Sequence, residues 1–169
     1  MNVKVLEQYR KILANSVVFA NLSPAELDLI MLSCRPVDVK AGQAVLTEGR
    51  RGEGLYVILE GNVEFFLPEH SVAGVERPSR VRLNILGPGR CFGEYGVIDD
   101  RPSSASAQML KEGRLCVLAT AAFRRLVDEN DRIGKVVYAN LLRFLVNRLR
   151  TKDKELDVIV ISDEPGAGQ

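Results

Sequence analysis

Apolar and polar positions along the chain change period twice, and the changes divide it into three parts. Over residues 2–13, Val5, Leu6, Tyr9, Ile12 and Leu13 recur at helical spacing, with Lys4, Arg10 and Lys11 between them. That pattern predicts one amphipathic helix. The apolar group Val17, Val18, Phe19 and Leu22 then leads into Ser23-Pro24-Ala25-Glu26. Ser23 suits an N-cap, Pro24 suits the first helical position, and Glu26 stands where a capping box needs a carboxylate. A second helix is expected to about Ser33, with Leu27, Ile30 and Met31 inward.

From Arg35 the period is two. Val37 and Val39, Ala44 and Leu46, Leu55, Val57 and Leu59, then Val63 and Phe65 alternate with other residues. Glycine-bearing turns at Gly42, Gly49 and Gly61 separate them. A polar loop over 67–79 is longer than a hairpin requires. Further strands are predicted over 80–86, 104–109 and 114–119. Short strands at regular spacing with glycine turns imply a β-sandwich or jelly roll.

After residue 119 the period returns to 3.6. A short helix is expected from Thr120 to about residue 128, and a long one over 131–156. The long helix carries two apolar seams. Ile133, Val137, Leu141 and Phe144 form one; Tyr138, Leu142, Leu145, Leu149 and Leu156 form the other, with Lys152 at a missing heptad position. The second seam has a coiled-coil repeat, and both core packing and dimer contact remain open for it. Residues 157–162 are strand-prone, and 162–169 have the composition of a disordered tail.

The expected fold class is therefore α+β: a β jelly-roll (double-stranded β-helix) barrel over 35–119, flanked by N-terminal helices (1–34) and C-terminal helices (120–156), with a tail at 157–169. At 169 residues and 46% hydrophobic, the chain is long and apolar enough for one such core. A net charge of +1 gives no bulk attraction to nucleic acid or to a membrane surface. Cys34, Cys91 and Cys116 are widely spaced and odd in number, which fits reduced, buried thiols in a cytoplasmic protein. Cys91 alone is placed where redox sensitivity is an alternative. The single histidine, His70, excludes the clustered-histidine metal site of metal-binding jelly rolls. No signal peptide, membrane span or catalytic constellation is evident, so neither an enzyme nor a cofactor is expected.

The chemistry concentrates in 90–106: Arg-Cys-Phe-Gly-Glu-Tyr-Gly-Val-Ile-Asp-Asp-Arg-Pro-Ser-Ser-Ala-Ser. It predicts a strand end, a short helix, a polar loop free to rearrange over 99–102, and a strand of small residues. Unpaired N–H groups at a helix start favour an anion such as phosphate, and Gly93 permits close approach. A carboxylate at Glu94, beside an anion site, makes sense if it accepts from a hydroxyl of the same ligand.

Phe92, Gly93, Glu94, Gly96, Val97, Ile98, Ser104 and Ala105 resemble the phosphate-binding cassette of the cyclic-nucleotide-binding domain family, of the catabolite-activator and kinase-regulatory-subunit type. The segment Gly42 to Phe66 is similar to the family's barrel over its whole length. The family's cassette arginine is absent; its place is Ser103, or Ser104 in an alternative spacing.

The resemblance implies a stand-alone bacterial-type sensor that binds cyclic AMP or cyclic GMP. The Gly93 N–H and neighbouring amides, with Tyr95 beside them, would hold the phosphate, and Glu94 would accept from the ribose hydroxyl. Ser103, Ser104 and Ala105 would complete the phosphate shell, with Arg101 as a substitute cation. Leu83, Cys91 and Phe92 would line the apolar side, and Lys152 and Asp153 would meet the base. The implied partners are the small-molecule cyclic nucleotide, a second copy through the C-terminal helix and an effector protein. Neither DNA, given where the chain ends, nor a membrane is expected as a partner. Two alternatives stand beside this: a degenerate, non-binding, homodimerising interaction module, and a sensor of another ligand such as cyclic di-GMP.

Overall fold

The computed structural model describes residues 2–162. Eight strands follow the period-two segments: β1 (Arg35–Val39), β2 (Ala44–Leu46), β3 (Gly54–Glu60), β4 (Val63–Leu67), β5 (Val81–Leu86), β6 (Cys91–Phe92), β7 (Ser106–Met109) and β8 (Gly113–Ala119). They form two antiparallel sheets, β1-β8-β3-β6 and β2-β7-β4-β5. The helices are α1 (Asn2–Glu7), α2 (Arg10–Ala14), α3 (Pro24–Ser33), α4 (Glu94–Asp99), α5 (Thr120–Glu129) and α6 (Asp131–Ser162).

β3 explains how two cores share one strand. Tyr56 and Ile58 face a core between the sheets, with Val63, Phe92, Met109 and Val117. Leu55, Val57 and Leu59 face a second core built with the helices, including Phe19, Ile30, Phe123, Val137 and Leu141. Alternation of side chains makes both possible, and burial on both faces accounts for the unbroken apolar run Leu55 to Leu59.

The first expected helix is in fact two. The backbone at Tyr9 turns to φ −103° and ψ 7°, separating α1 from α2. Tyr9 then donates its hydroxyl to Glu60 and accepts from Arg114 Nη1 at 3.0 Å, while Leu6 and Leu13 stay buried. The capping box is present: Ser23 Oγ accepts from Glu26 N at 3.3 Å, and Glu26 accepts from Ser23 N at 2.7 Å. Thr120 does not cap α5; its hydroxyl donates to the Glu53 carbonyl at 3.3 Å, and Ala119 is the N-cap.

Residues 157–162 continue α6 and do not form a strand. Once a helix exists, each added residue gains one bond without a new nucleus, which overrides a local β preference. The tail expectation for 163–169 lies outside the described residues.

The two seams of α6 have different fates. Ile133, Val137, Leu141 and Phe144 are buried in the helix-side core. On the second seam Tyr138, Leu142 and Leu149 are exposed, and Leu145 is half-buried. Two side chains fix α6 to the N-terminal segments. Asn140 Nδ2 donates to the Val18 and Ala20 carbonyls at 3.1 and 2.7 Å, and Arg132 pairs with Glu26.

Candidate functional site

The site begins where β6 ends. Phe92 stands opposite Tyr56 in the ladder, and their rings stack at 4.8 Å with a 2° interplanar angle. Phe65 meets Phe92 edge-on at 5.3 Å. This aromatic group holds the strand end in place. Cys91, one residue earlier, points to the opposite face and is fully buried in the helix-side core. Burial, with the charge of Glu94 adding to it, pushes its thiol up to about 12. Cys91 is thus the buried core thiol that the cysteine pattern led one to expect, and it does not line the cavity between the cassette and α6, where the resemblance had placed it.

Gly93 then takes φ 82°, turning the chain sharply into α4. Helix α4 ends at Asp100, also left-handed at φ 58°, whose carboxylate pairs with Arg51 at 2.7 Å. Beyond it, Ser103 N donates to the Arg50 carbonyl at 2.9 Å, and Gly49 N donates to the Ser103 carbonyl at 2.8 Å. The loop expected to be free is thus anchored at both ends to the β2–β3 turn. β7 starts at Ser106, so Ser104 and Ala105 stay outside the ladder.

A cavity of about 620 Å³ lies between this cassette and α6. From the cassette it is lined by Gly93, Glu94, Tyr95, Ser103, Ser104 and Ala105. Phe92, Phe65, Leu83 and Leu86 give an apolar wall, and Lys152 lies at the α6 end. Besides Cys91, two further expected residues lie off the wall. Asp153 does not line it, because 152 and 153 are about 100° apart on a helix. Arg101 does not line it either; its guanidinium is 82% exposed and stands 3.8 Å from Asp99.

Other residues on the wall were not picked out from sequence. Asn140, Arg143, Asn147, Arg148 and Thr151 face it from α6, and Arg90 from the turn before β6. Asn140, Arg143, Asn147 and Thr151 recur at three- and four-residue steps, with Arg148 beside Asn147. A polar stripe at that spacing was the available signal, and it has the appearance of an ordinary solvated face until a cavity lies against it.

Glu94 is 3% exposed, and its carboxylate Oε1 accepts from Arg148 Nη1 at 2.7 Å. Burial raises its carboxyl above the usual range, against the opposing pull of its own backbone N–H and of Arg148. Arg148 also stands 5.5 Å from the Tyr95 ring centroid and 5.7 Å from that of Phe144. Arg90, Arg143, Arg148 and Lys152 place four cations on the wall against the carboxylates of Glu94 and Glu155. The cavity favours an anion with hydroxyls to donate. Among the described residues there is no cluster suited to hold a metal ion, and no helix is long and apolar enough to cross a membrane.

The family model of the cyclic nucleotide-binding domain matches residues 36–130. A CRP-like cAMP-activated global transcriptional regulator of Mycobacterium tuberculosis is 30% identical over 92% of this chain and 65% of its own length. The cyclic AMP receptor protein of Thermus thermophilus is 32% identical over 85% of this chain and 62% of the receptor. The chain thus spans somewhat less than two thirds of these relatives. Among solved structures, the Thermus thermophilus catabolite activator protein superposes with a TM-score of 0.70 at 30% identity, covering 86% of this chain and 63% of that one. A cyclic nucleotide-binding domain from Methylobacillus flagellatus, at 23% identity, shares the fold with a TM-score of 0.77 over 98% of this chain and 88% of its own. With a family match over more than half its length and the cassette at the wall of the cavity, this chain belongs to the cyclic nucleotide-binding domain family.

Proposed function

We propose that this chain is a non-catalytic sensor module that binds a cyclic nucleotide, cyclic AMP or cyclic GMP, between the cassette and α6. The observation that carries this reading is the buried Glu94 carboxylate in the wall of a cavity otherwise rich in cations. Glu94 accepts from the ribose hydroxyl. Gly93 and its neighbours approach the cyclic phosphate with their N–H groups, and the Ser104 hydroxyl and Ala105 N–H face it from the other side. Phe92 and Leu83 take the apolar side of the ligand, and Lys152 lies toward the base. Helices α5 and α6 carry the signal to a second copy or an effector protein in the cytoplasm. The strands pass between the two sheets as the chain advances, which supports reading 35–119 as a jelly-roll barrel; residues 120–156 are then the signalling unit.

The test is a thermal-shift screen with cyclic AMP, cyclic GMP and cyclic di-GMP. A ligand at a hundred times its dissociation constant adds about 2.7 kcal/mol of stability, which such a screen resolves. A shift with either mononucleotide supports the reading. A shift with cyclic di-GMP alone reassigns the ligand, and no shift with any of the three sinks nucleotide sensing.

A second reading is an interaction module that dimerises without a ligand. Two observations favour it: Ser103 stands where the family has arginine, and the α6 seam of Tyr138, Leu142 and Leu149 is exposed.

A further inference from the structure

A cyclic phosphate placed beside Glu94 puts two anions in one cavity. Opposite charges must stand close to both, or the buried carboxylate and the phosphate raise each other's energy. The cassette supplies no such cation: Ser103 is neutral, and Arg101 lies off the wall. Four cations remain on the wall, and their contacts separate them. Lys152 Nζ is held by Glu155 at 2.6 Å, one turn along its own helix. Arg143 Nη1 donates to Asn140 Oδ1 at 3.2 Å, which orients it along α6. Arg90 belongs to the turn before β6. Of these four, only Arg148 makes a side-chain hydrogen bond to the cassette among the described residues, through Glu94.

Arg148 also has capacity to spare. A guanidinium carries five N–H donors in a fixed plane. Only Nη1 is engaged with a carboxylate, which leaves Nη2 and Nε without a hydrogen-bond partner among the described residues. The arginine stands against the rings of Tyr95 and Phe144, and its side chain is 44% exposed. A planar cation there can keep one N–H on Glu94 and present the others to a phosphate at Gly93, one residue away.

We propose that Arg148 of α6 replaces the absent cassette arginine, bridging Glu94 and the phosphate of the bound cyclic nucleotide. This deepens the sensing role proposed above and rests on it. Its consequence is mechanical. A cassette arginine keeps the phosphate contact within the barrel, whereas a phosphate held by Arg148 ties the barrel directly to α6. Ligand capture and the position of the long helix then become one event.

The test is calorimetric titration of the full chain with cyclic AMP and with cyclic GMP, at about 10 mM and about 150 mM salt, where charges are screened beyond about 30 Å and about 8 Å. The parent is compared with Arg148→Gln, Arg148→Lys and Arg90→Gln. For Arg148→Gln the expected result is an affinity at least tenfold weaker than the parent's at low salt, with a shallower salt dependence than the parent's because three other cations stay on the wall. Arg148→Lys keeps the charge but not the fork, so it retains the salt dependence with a smaller loss. Arg90→Gln behaves as the parent. Unchanged affinity in Arg148→Gln overturns the proposal, as does a loss that keeps the parent's salt dependence. A shallower salt dependence in Arg90→Gln, with Arg148→Gln like the parent, moves the role to Arg90. If neither cyclic AMP nor cyclic GMP gives heat with the parent or any variant, the nucleotide reading itself falls, and this one with it.

Discussion

Gly93 and Gly54 pack backbone to backbone. A Cβ built on Gly93 would stand 2.3 Å from the Gly54 carbonyl oxygen and 2.9 Å from Tyr56 Cδ2. The contact sets how closely the start of α4 approaches β3, and so where Glu94 enters the cavity wall.

Gly93→Ala is therefore expected to be destabilising twice over. The left-handed backbone costs about 1–2 kcal/mol for a residue with a Cβ, and the clash with Gly54 adds to it. Gly42 is the control, since it has φ 73° and nothing within 4 Å of its Cβ position. The melting temperature should fall more for Gly93→Ala than for Gly42→Ala, and equal falls would show that packing against Gly54 does not matter.

Ser103→Arg should tighten cyclic AMP binding. Ser103 lines the cavity, while its backbone N–H and carbonyl are committed to Arg50 and Gly49. A longer side chain leaves those bonds intact. A charged hydrogen bond of about 1.5–3 kcal/mol corresponds to about ten- to hundredfold in affinity. Calorimetry measures it, and unchanged affinity would place the phosphate elsewhere.

Glu26 and Glu94 should give opposite pH dependence. The Arg132 guanidinium, then the Ser23 backbone N–H, hold the Glu26 carboxyl at about 2. Its folded pKa is depressed, so its contribution is full above the usual glutamate range and is lost as pH falls toward 2. Burial raises Glu94, so the folded state binds its proton more tightly than the unfolded state does. Stability then declines as pH rises from the ordinary glutamate value through the raised one. Melting curves across the acid range should show Glu26→Gln losing the first dependence and Glu94→Gln the second. Glu26→Gln keeps an acceptor for Ser23, so the cap itself survives.

The exposed α6 seam predicts a homodimer. Leu142 and Leu149 are each 64% exposed, whereas Leu145 is partly packed on the core. Each leucine newly buried contributes up to about 1.5–3 kcal/mol. Light scattering should report a dimer for the parent and a monomer for Leu142→Asp at the same concentration, with the Leu142→Asp fold intact by circular dichroism. A monomeric parent at high concentration would refute the interface.

Saturation with cyclic AMP should raise amide protection in α4 over 95–98 and in α6 around Arg148. Protection confined to α4 would describe a binder that passes no signal to the helix.

The sequence determined the order of elements and the identity of the cassette. Period-two alternation from Val37 to Phe65 and the box Ser23–Glu26 are local signals, set by side-chain direction and by hydrogen bonds between near neighbours. Phe92, Gly93 and Glu94 were legible for the same reason: each owes its role to the backbone beside it. Other features were decided by distant partners. Tyr9 stands at the break between α1 and α2, bonded to Glu60 and Arg114, 51 and 105 residues away in sequence. Cys91 turns from the cavity because its ladder position opposite Val57 sends it to the helix-side core. Arg148 becomes part of the site because folding brings α6 against α4, across 54 residues of sequence. Periodicity tells which face of α6 is polar, but only the packed structure decides what that face meets, because a contact between remote segments has no local spacing to betray it.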